Sequence, residues 1–176
     1  MSTDTTSAAQ AAQLELAVAQ MESARRYTLQ LLDGLSPDQW FWTPAAPTTH
    51  IAWQVGHLAV AEYGLMLFRQ RGRAEIDANL MTGEFRKLFM KGTNPEAKPA
   101  NYPSPAEILE TLATVHRQAL QEARTIDPSS LSAASDPPHA GPANRLGSLL
   151  FAAHHEMIHA GQIGLLRRMQ GLPPVR

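Results

Sequence analysis

Apolar residues recur at helical spacing along four long stretches of this chain, and nothing between them alternates with the period of two that a strand needs. That pattern points to an all-α fold. The first stretch runs from about residue 8 to 34, with Leu14, Val18, Met21, Thr28 and Leu32 near one face and Gly34 as its stop. The second starts at Thr48 or Thr49 and reaches about Arg71, before Gly72. The third opens at S-P-A-E (104–107), a capping box with proline in the first helical position, and carries Ile108, Leu112, Val115, Ala119 and Ile126. The fourth spans about Asn144 to Gln170 and ends in Arg167, Arg168, Gly171 and Pro173-Pro174, residues that terminate a helix. A second capping box, S-P-D-Q (36–39), starts a short turn bearing Trp40, Phe41 and Trp42, which read as packing anchors. Four long amphipathic helices pack naturally as a four-helix bundle.

A chain of 176 residues suits one domain. We expect it to occupy 9–172, after a disordered lead-in at 1–8 and before a short tail at 173–176. Two connections are long: 73–103, with room for a short helix at 83–90, and 127–143. Loops of such length are commonly functional or disordered. No apolar run approaches the roughly 18 residues of a membrane span, and the N-terminus lacks the basic and apolar parts of a secretory signal. A cytoplasmic protein without a membrane partner is the expectation. A net charge of −1 and a pI near 6.7 give no electrostatic footprint for nucleic acid. The chain has no cysteine, which excludes disulfides, thiolate metal sites and a cysteine nucleophile. Any thiol chemistry must use a thiol from outside.

The chemistry-bearing stretch is H-H-E-M-I-H-A-G-Q at 154–162. His155 and His159 stand four residues apart, so a helix stacks them on one face, where two neutral imidazoles can converge on one metal ion. The letters also spell H-E-x-x-H, the zinc-protease signature. That reading fails on its third ligand: one protease class needs glycine at 162 and histidine at 165, where this chain has Gln162 and Leu165. The other needs a downstream acid, and no Asp or Glu follows Glu156. A third ligand must come from upstream, from His50, His57, His116 or His139. His154 points about 100° away from His155. His116 and His139 suit surface or rim positions. His57 lies mid-helix in W-Q-V-G-H-L-A, with Trp53 one turn before it on the same face. Alone it reads as a hydrogen-bonded core residue; beside a histidine pair on another helix it reads as the third ligand. Small neighbours (Ser148, Ala152, Ala61 and Gly64) leave space for water or substrate. Three histidines with an open position suit a catalytic metal site.

S-P-D-Q-W near 36, W-Q-V-G-H-L-A at 53–59 and H-E-M-I-H-A-G-Q at 155–162 together resemble the DinB family, metal-binding four-helix proteins that include YfiT-like hydrolases and thiol-dependent transferases. The resemblance implies a bundle with a long crossover connection, a homodimer, and a divalent metal on His57, His155 and His159. Zinc leads, with nickel, iron or manganese as the other ions. It implies a small-molecule substrate and leans toward a transferase or isomerase that uses a low-molecular-weight thiol. A hydrolase using metal-bound hydroxide, and a metal- or ligand-binding protein without turnover, stay open. Gln162 is expected to orient a ligand or contact substrate, and His50 to line the pocket with Trp53. Glu62, Tyr63 and Glu156 are the acid–base candidates near the ligands, Glu156 a weak one.

Overall fold

The structure, a computed structural model, describes residues 2–44, 48–135 and 143–175, with side chains from residue 8 onward. Six α-helices form, and no strand is present among the described residues. α1 is Ser2–Leu32, α2 Pro37–Phe41, α3 Ile51–Glu62, α4 Gly83–Phe89, α5 Pro105–Ala123 and α6 Arg145–Met169. α3 continues without a break through a π-helical segment, Tyr63–Phe68, and a last turn, Arg69–Arg71. α1 starts at Ser2 and so takes in residues expected to be a lead-in. The added stretch, 2–7, is Ser, Thr and Asp only, weak helix formers without an apolar stripe, and neither propensity nor amphipathicity accounts for it.

The caps fall where the sequence puts them. In the α5 box Ser104 N–H donates to Glu107 Oε2 at 2.8 Å, and Ser36 N–H does the same to Gln39 Oε1 at 2.8 Å before α2. Asn144 Oδ1 accepts Gly147 N–H at 2.8 Å at the start of α6. α5 stops at Ala123, short of the expected Ile126, because Asp127 precedes Pro128 and cannot readily stay helical. α3 begins two residues late, at Ile51. His50 has extended backbone there and its Nδ1 accepts Trp53 N–H at 3.0 Å, which makes it the N-cap.

Eight ties, two for each of four helix pairs, fix the helix directions. Arg25 meets Glu156, and Arg167 donates to Leu31 O, so α1 and α6 run parallel. Glu62 meets His116 and Arg71 meets Glu122, so α3 and α5 run parallel too. Gln54 with His159, and Gln70 with Arg145 O, set α3 antiparallel to α6. Arg25 with Leu112 O, and Arg124 with Glu22, set α1 antiparallel to α5. Two parallel neighbours cannot be joined by a short turn, so the chain from 72 to 104 must travel back along the bundle. This is the long crossover, and α4 lies within it.

The core divides into two apolar clusters. One contains Leu14, Met21, Met66, Val115, Leu131 and Leu149; the other contains Leu31, Phe41, Ile51, Phe89, Ile108 and Ile163. Between them lies a polar waist. Arg25 from α1 is 3% exposed; its Nη2 donates to Glu62 Oε2 at 2.8 Å, and its Nε donates to Glu156 Oε1 at 2.8 Å. His116 Nδ1 lies 2.7 Å from Glu62 Oε1. One buried cluster therefore joins all four long helices. Burial opposes the charge on Arg25, but Glu62 and Glu156 outweigh it and push its pKa up. Burial likewise works against the Glu62 carboxylate, and Arg25 with His116 still holds it below the usual range.

Removing one partner from such a cluster leaves charges buried without compensation. Arg25→Met is expected to cost about 3–5 kcal/mol of stability in urea unfolding. Adding Glu62→Leu and Glu156→Leu should recover part of that loss, because the uncompensated charges are then gone. A triple variant no more stable than the single one would contradict this assignment.

Candidate metal centre

His57 from α3 and His155 and His159 from α6 meet beside this waist. Each offers one ligand atom, and the three atoms all lie within 4.8 Å of one another, so the group could hold a metal ion. The ring centroids of His155 and His159 are 4.5 Å apart, and those of His57 lie 5.3 Å and 4.9 Å from them. His57 and His159 are buried at 8% exposure, while His155 is half-buried and forms the open side.

Four letters of W-Q-V-G-H-L-A, those of Trp53, Gln54, Gly56 and His57, have a place in this arrangement. The Trp53 indole stacks on the His57 ring with centroids 4.8 Å apart and planes inclined by 6°. His57 Nδ1–H donates to the Phe89 carbonyl, 2.7 Å away at the end of α4, which leaves Nε2 as the ligand atom. Gly56 is what lets α4 come so close. A Cβ there would stand 2.4 Å from Cδ1 of the fully buried Phe89 ring. Gln54 Nε2–H donates to Thr49 Oγ1 at 2.9 Å, which turns its Oε1 toward His159, and there it accepts Nδ1–H. His159 thus also presents Nε2, 3.3 Å from Nε2 of His155. Two nitrogens bound to one tetrahedral zinc at ~2.05 Å stand about 3.3 Å apart, so the spacing of this pair fits such an ion.

Burial lowers the His57 imidazole, and it takes His159 down to about 3, with His155 and His57 adding to the effect. Protons therefore do not compete for these lone pairs near neutral pH. Three imidazoles without thiolate or carboxylate suit zinc, nickel, copper or iron.

The other expected residues divide. Trp53 is at the site. His50 is not: as N-cap its ring leaves the α3 face that carries His57, is fully buried and packs against Phe41 and Tyr102 at centroid distances of 5.4 Å and 5.0 Å. Burial lowers its pKa to about 4. Gln162 is exposed, and a further glutamine, Gln54, contacts the His159 imidazole. Position 54 lies three residues before His57, on the same side of α3, and that spacing was the available signal. Glu156 and Glu62 are committed to Arg25, and Tyr63 O–H donates to Asp77 Oδ2 at 2.9 Å, so no acid–base candidate points at the imidazoles. His116 is half-buried, at the rim as expected, and from there its Nδ1 meets the buried Glu62. His154 is exposed, and His139 lies outside the described residues.

Fold and site together define an all-helical bundle with an inward-facing group of three histidines. The family model of the DinB superfamily matches residues 20–163, and the chain belongs to that superfamily. The match extends past His159 and so includes all three histidines. No curated protein matches the chain closely enough to count as a relative. No helix among the described residues is long and apolar enough to cross a membrane.

Acceptors that fix a ligand's tautomer typically change metal affinity by about 10–100-fold when removed. Gln54→Leu should therefore weaken zinc binding by about that factor in a competitive chelator titration, and Gln162→Leu should leave it unchanged. The reverse ranking would remove Gln54 from its orienting role.

Proposed function

We propose that the chain is a divalent-metal protein in which His57, His155 and His159 hold the ion, and that it is an enzyme transferring or isomerising a small molecule with the help of a low-molecular-weight thiol. The observation that carries this reading is the convergence of three imidazoles whose Nδ1–H groups, on His57 and His159, are spent on the Phe89 carbonyl and Gln54. A divalent ion held there supplies Lewis acidity and favours the deprotonated form of a thiol co-substrate. Zinc is the ion we favour, with nickel, iron or manganese as substitutes, since three histidines plus an open position is a common catalytic zinc arrangement.

The chain's own residues position and shield. The Phe89 carbonyl and the Trp53 ring hold His57 in one orientation, and Gln54 holds His159. Each Nδ1–H···O bond also raises the basicity of the opposite nitrogen. Glu62 and Glu156 face Arg25, so they supply no general base, which favours a nucleophile that arrives with the co-substrate over water activated by a carboxylate. With no cysteine in the sequence, that thiol is external. A homodimer belongs to the same reading. The exposed stripe of Ile158, Leu165 and Met169 on α6 supports it.

The test has two stages. Elemental analysis of purified protein should find about one ion per chain, lost in His57→Ala, His155→Ala and His159→Ala. Full occupancy in those variants would refute the ligand set. Thiol consumption with a panel of electrophiles should then depend on the metal. Thiol-independent hydrolysis would instead make the protein a hydrolase, and metal binding without turnover would make it a binding protein.

A further inference from the structure

α1 and α5 leave a cavity of about 380 Å³ between them, and every residue that lines it comes from these two helices or is Arg124, just past the end of α5. The three histidines lie between α3 and α6, the other pair of helices, so cavity and histidine group occupy different sides of the bundle. The size is within the range of small-molecule pockets. The walls are apolar, with Leu29 on α1 and Leu109, Leu112 and Leu120 on α5. Leu29 stays 46% exposed beside them. The pairing of Arg25 with Leu112 O sets the antiparallel register, which brings Leu29 toward Leu109 at one end. Glu22 and Arg124 meet at the other, so the groove is apolar at one end and basic toward its opposite end.

Three arginines line this groove, Arg25, Arg117 and Arg124, against one carboxylate, Glu22. Glu22 is taken by Arg124 at 2.6 Å. Arg117 enters no ion pair among the described residues, and its Nη2 donates only to Thr114 Oγ1, at 3.2 Å. The buried Arg25 adds a donor from the floor. Its Nε and Nη2 are spent on Glu156 and Glu62, whereas Nη1 has Leu112 O alone, at 3.4 Å. That distance is long for an N–H···O bond, and a nitrogen with two hydrogens can donate again. From Leu109 to Arg117 the helix rises about 12 Å, a span that a medium-chain fatty acid matches. We propose that this groove binds a small amphipathic anion of the medium-chain carboxylate class. Its chain lies over Leu29, Leu109 and Leu112, and its carboxylate meets Arg117 at the rim and the spare donor of Arg25 at the floor. The site is separate from the metal centre and does not depend on it.

An amide-detected NMR titration of the full-length protein provides the test, because it reports both where a probe binds and how tightly. The probes are octanoate, octanol and octylamine, which share a chain and differ in charge. Octanoate should shift amides of α1 and α5 around the groove, and octylamine should bind more weakly. Arg117→Glu should weaken octanoate about fivefold, the size of a partly screened charge pair, and leave octanol unchanged. Ala113 is exposed at the groove's edge, so Ala113→Trp can fill the groove without disturbing the core, and it should block octanoate and octanol alike. Octanoate shifts that map to another part of the protein, equal binding of octanoate and octylamine, or an octanoate affinity unchanged by Arg117→Glu would each overturn the proposal. Sedimentation tests the other occupant. A wild type that associates as its concentration rises, and an Ala113→Trp variant that does not, would give the groove to a second copy of the chain and overturn the small-molecule site.

Discussion

Arg25 reaches from α1 into the waist of the bundle, and its guanidinium stays charged there because Glu62 from α3 and Glu156 from α6 both meet it. His116 from α5 closes the cluster on Glu62. Apolar side chains attract without direction, so two oily clusters alone would leave the helices free to slide or rotate by small amounts. Charge-assisted hydrogen bonds are short and directional. A buried ion cluster of this kind is weak evidence for stability, but it is well suited to fixing register.

Register is what the histidine group requires. Glu156 follows His155 directly, and Glu62 lies little more than one turn beyond His57, so the helices that supply the three histidines also supply the carboxylates. A slip of one residue between α3 and α6 would move an imidazole about 1.5 Å along the axis. Metal–ligand distances tolerate only about 0.2 Å. The neighbours His155 and Glu156, pointing about 100° apart on α6, thus serve two linked purposes. One faces the ligand group, and the other locks the helix that carries it. The crossover adds a further constraint, since Gly56 lets Phe89 lie against α3 and bring its carbonyl to His57.

The helices and the His155–His159 pair were legible in the sequence because they depend on local patterns, and His57 was reached only because the pair needs a partner from upstream. Capping boxes, stop residues and the i, i+4 spacing of His155 and His159 are written within a few residues of one another. What was not legible depended on partners far along the chain. Gln54 takes its place from His159, which is 105 residues away, whereas Gln162 drew notice from its position beside the histidines and is exposed. Glu156 looked like a candidate catalyst from its motif, and only Arg25, 131 residues away, gives it a different task. His50 was misplaced by a two-residue difference in where α3 begins, since a cap residue does not share the face of the helix that follows. The π-helical segment Tyr63–Phe68 had no signal in the apolar pattern, and neither did the early start of α1 over Ser, Thr and Asp residues.

A single divalent ion held by three neutral imidazoles, with its remaining position open to a thiol, is the core of the proposed function. X-ray absorption at the metal edge of the zinc-loaded protein tests this most directly, because imidazole rings give characteristic outer-shell scattering that can be counted. The account predicts nitrogen or oxygen neighbours at about 2.0–2.1 Å, outer-shell scattering from three imidazoles, and a sulfur neighbour at about 2.3 Å only after a small thiol is added. A spectrum that requires one imidazole or none would contradict it.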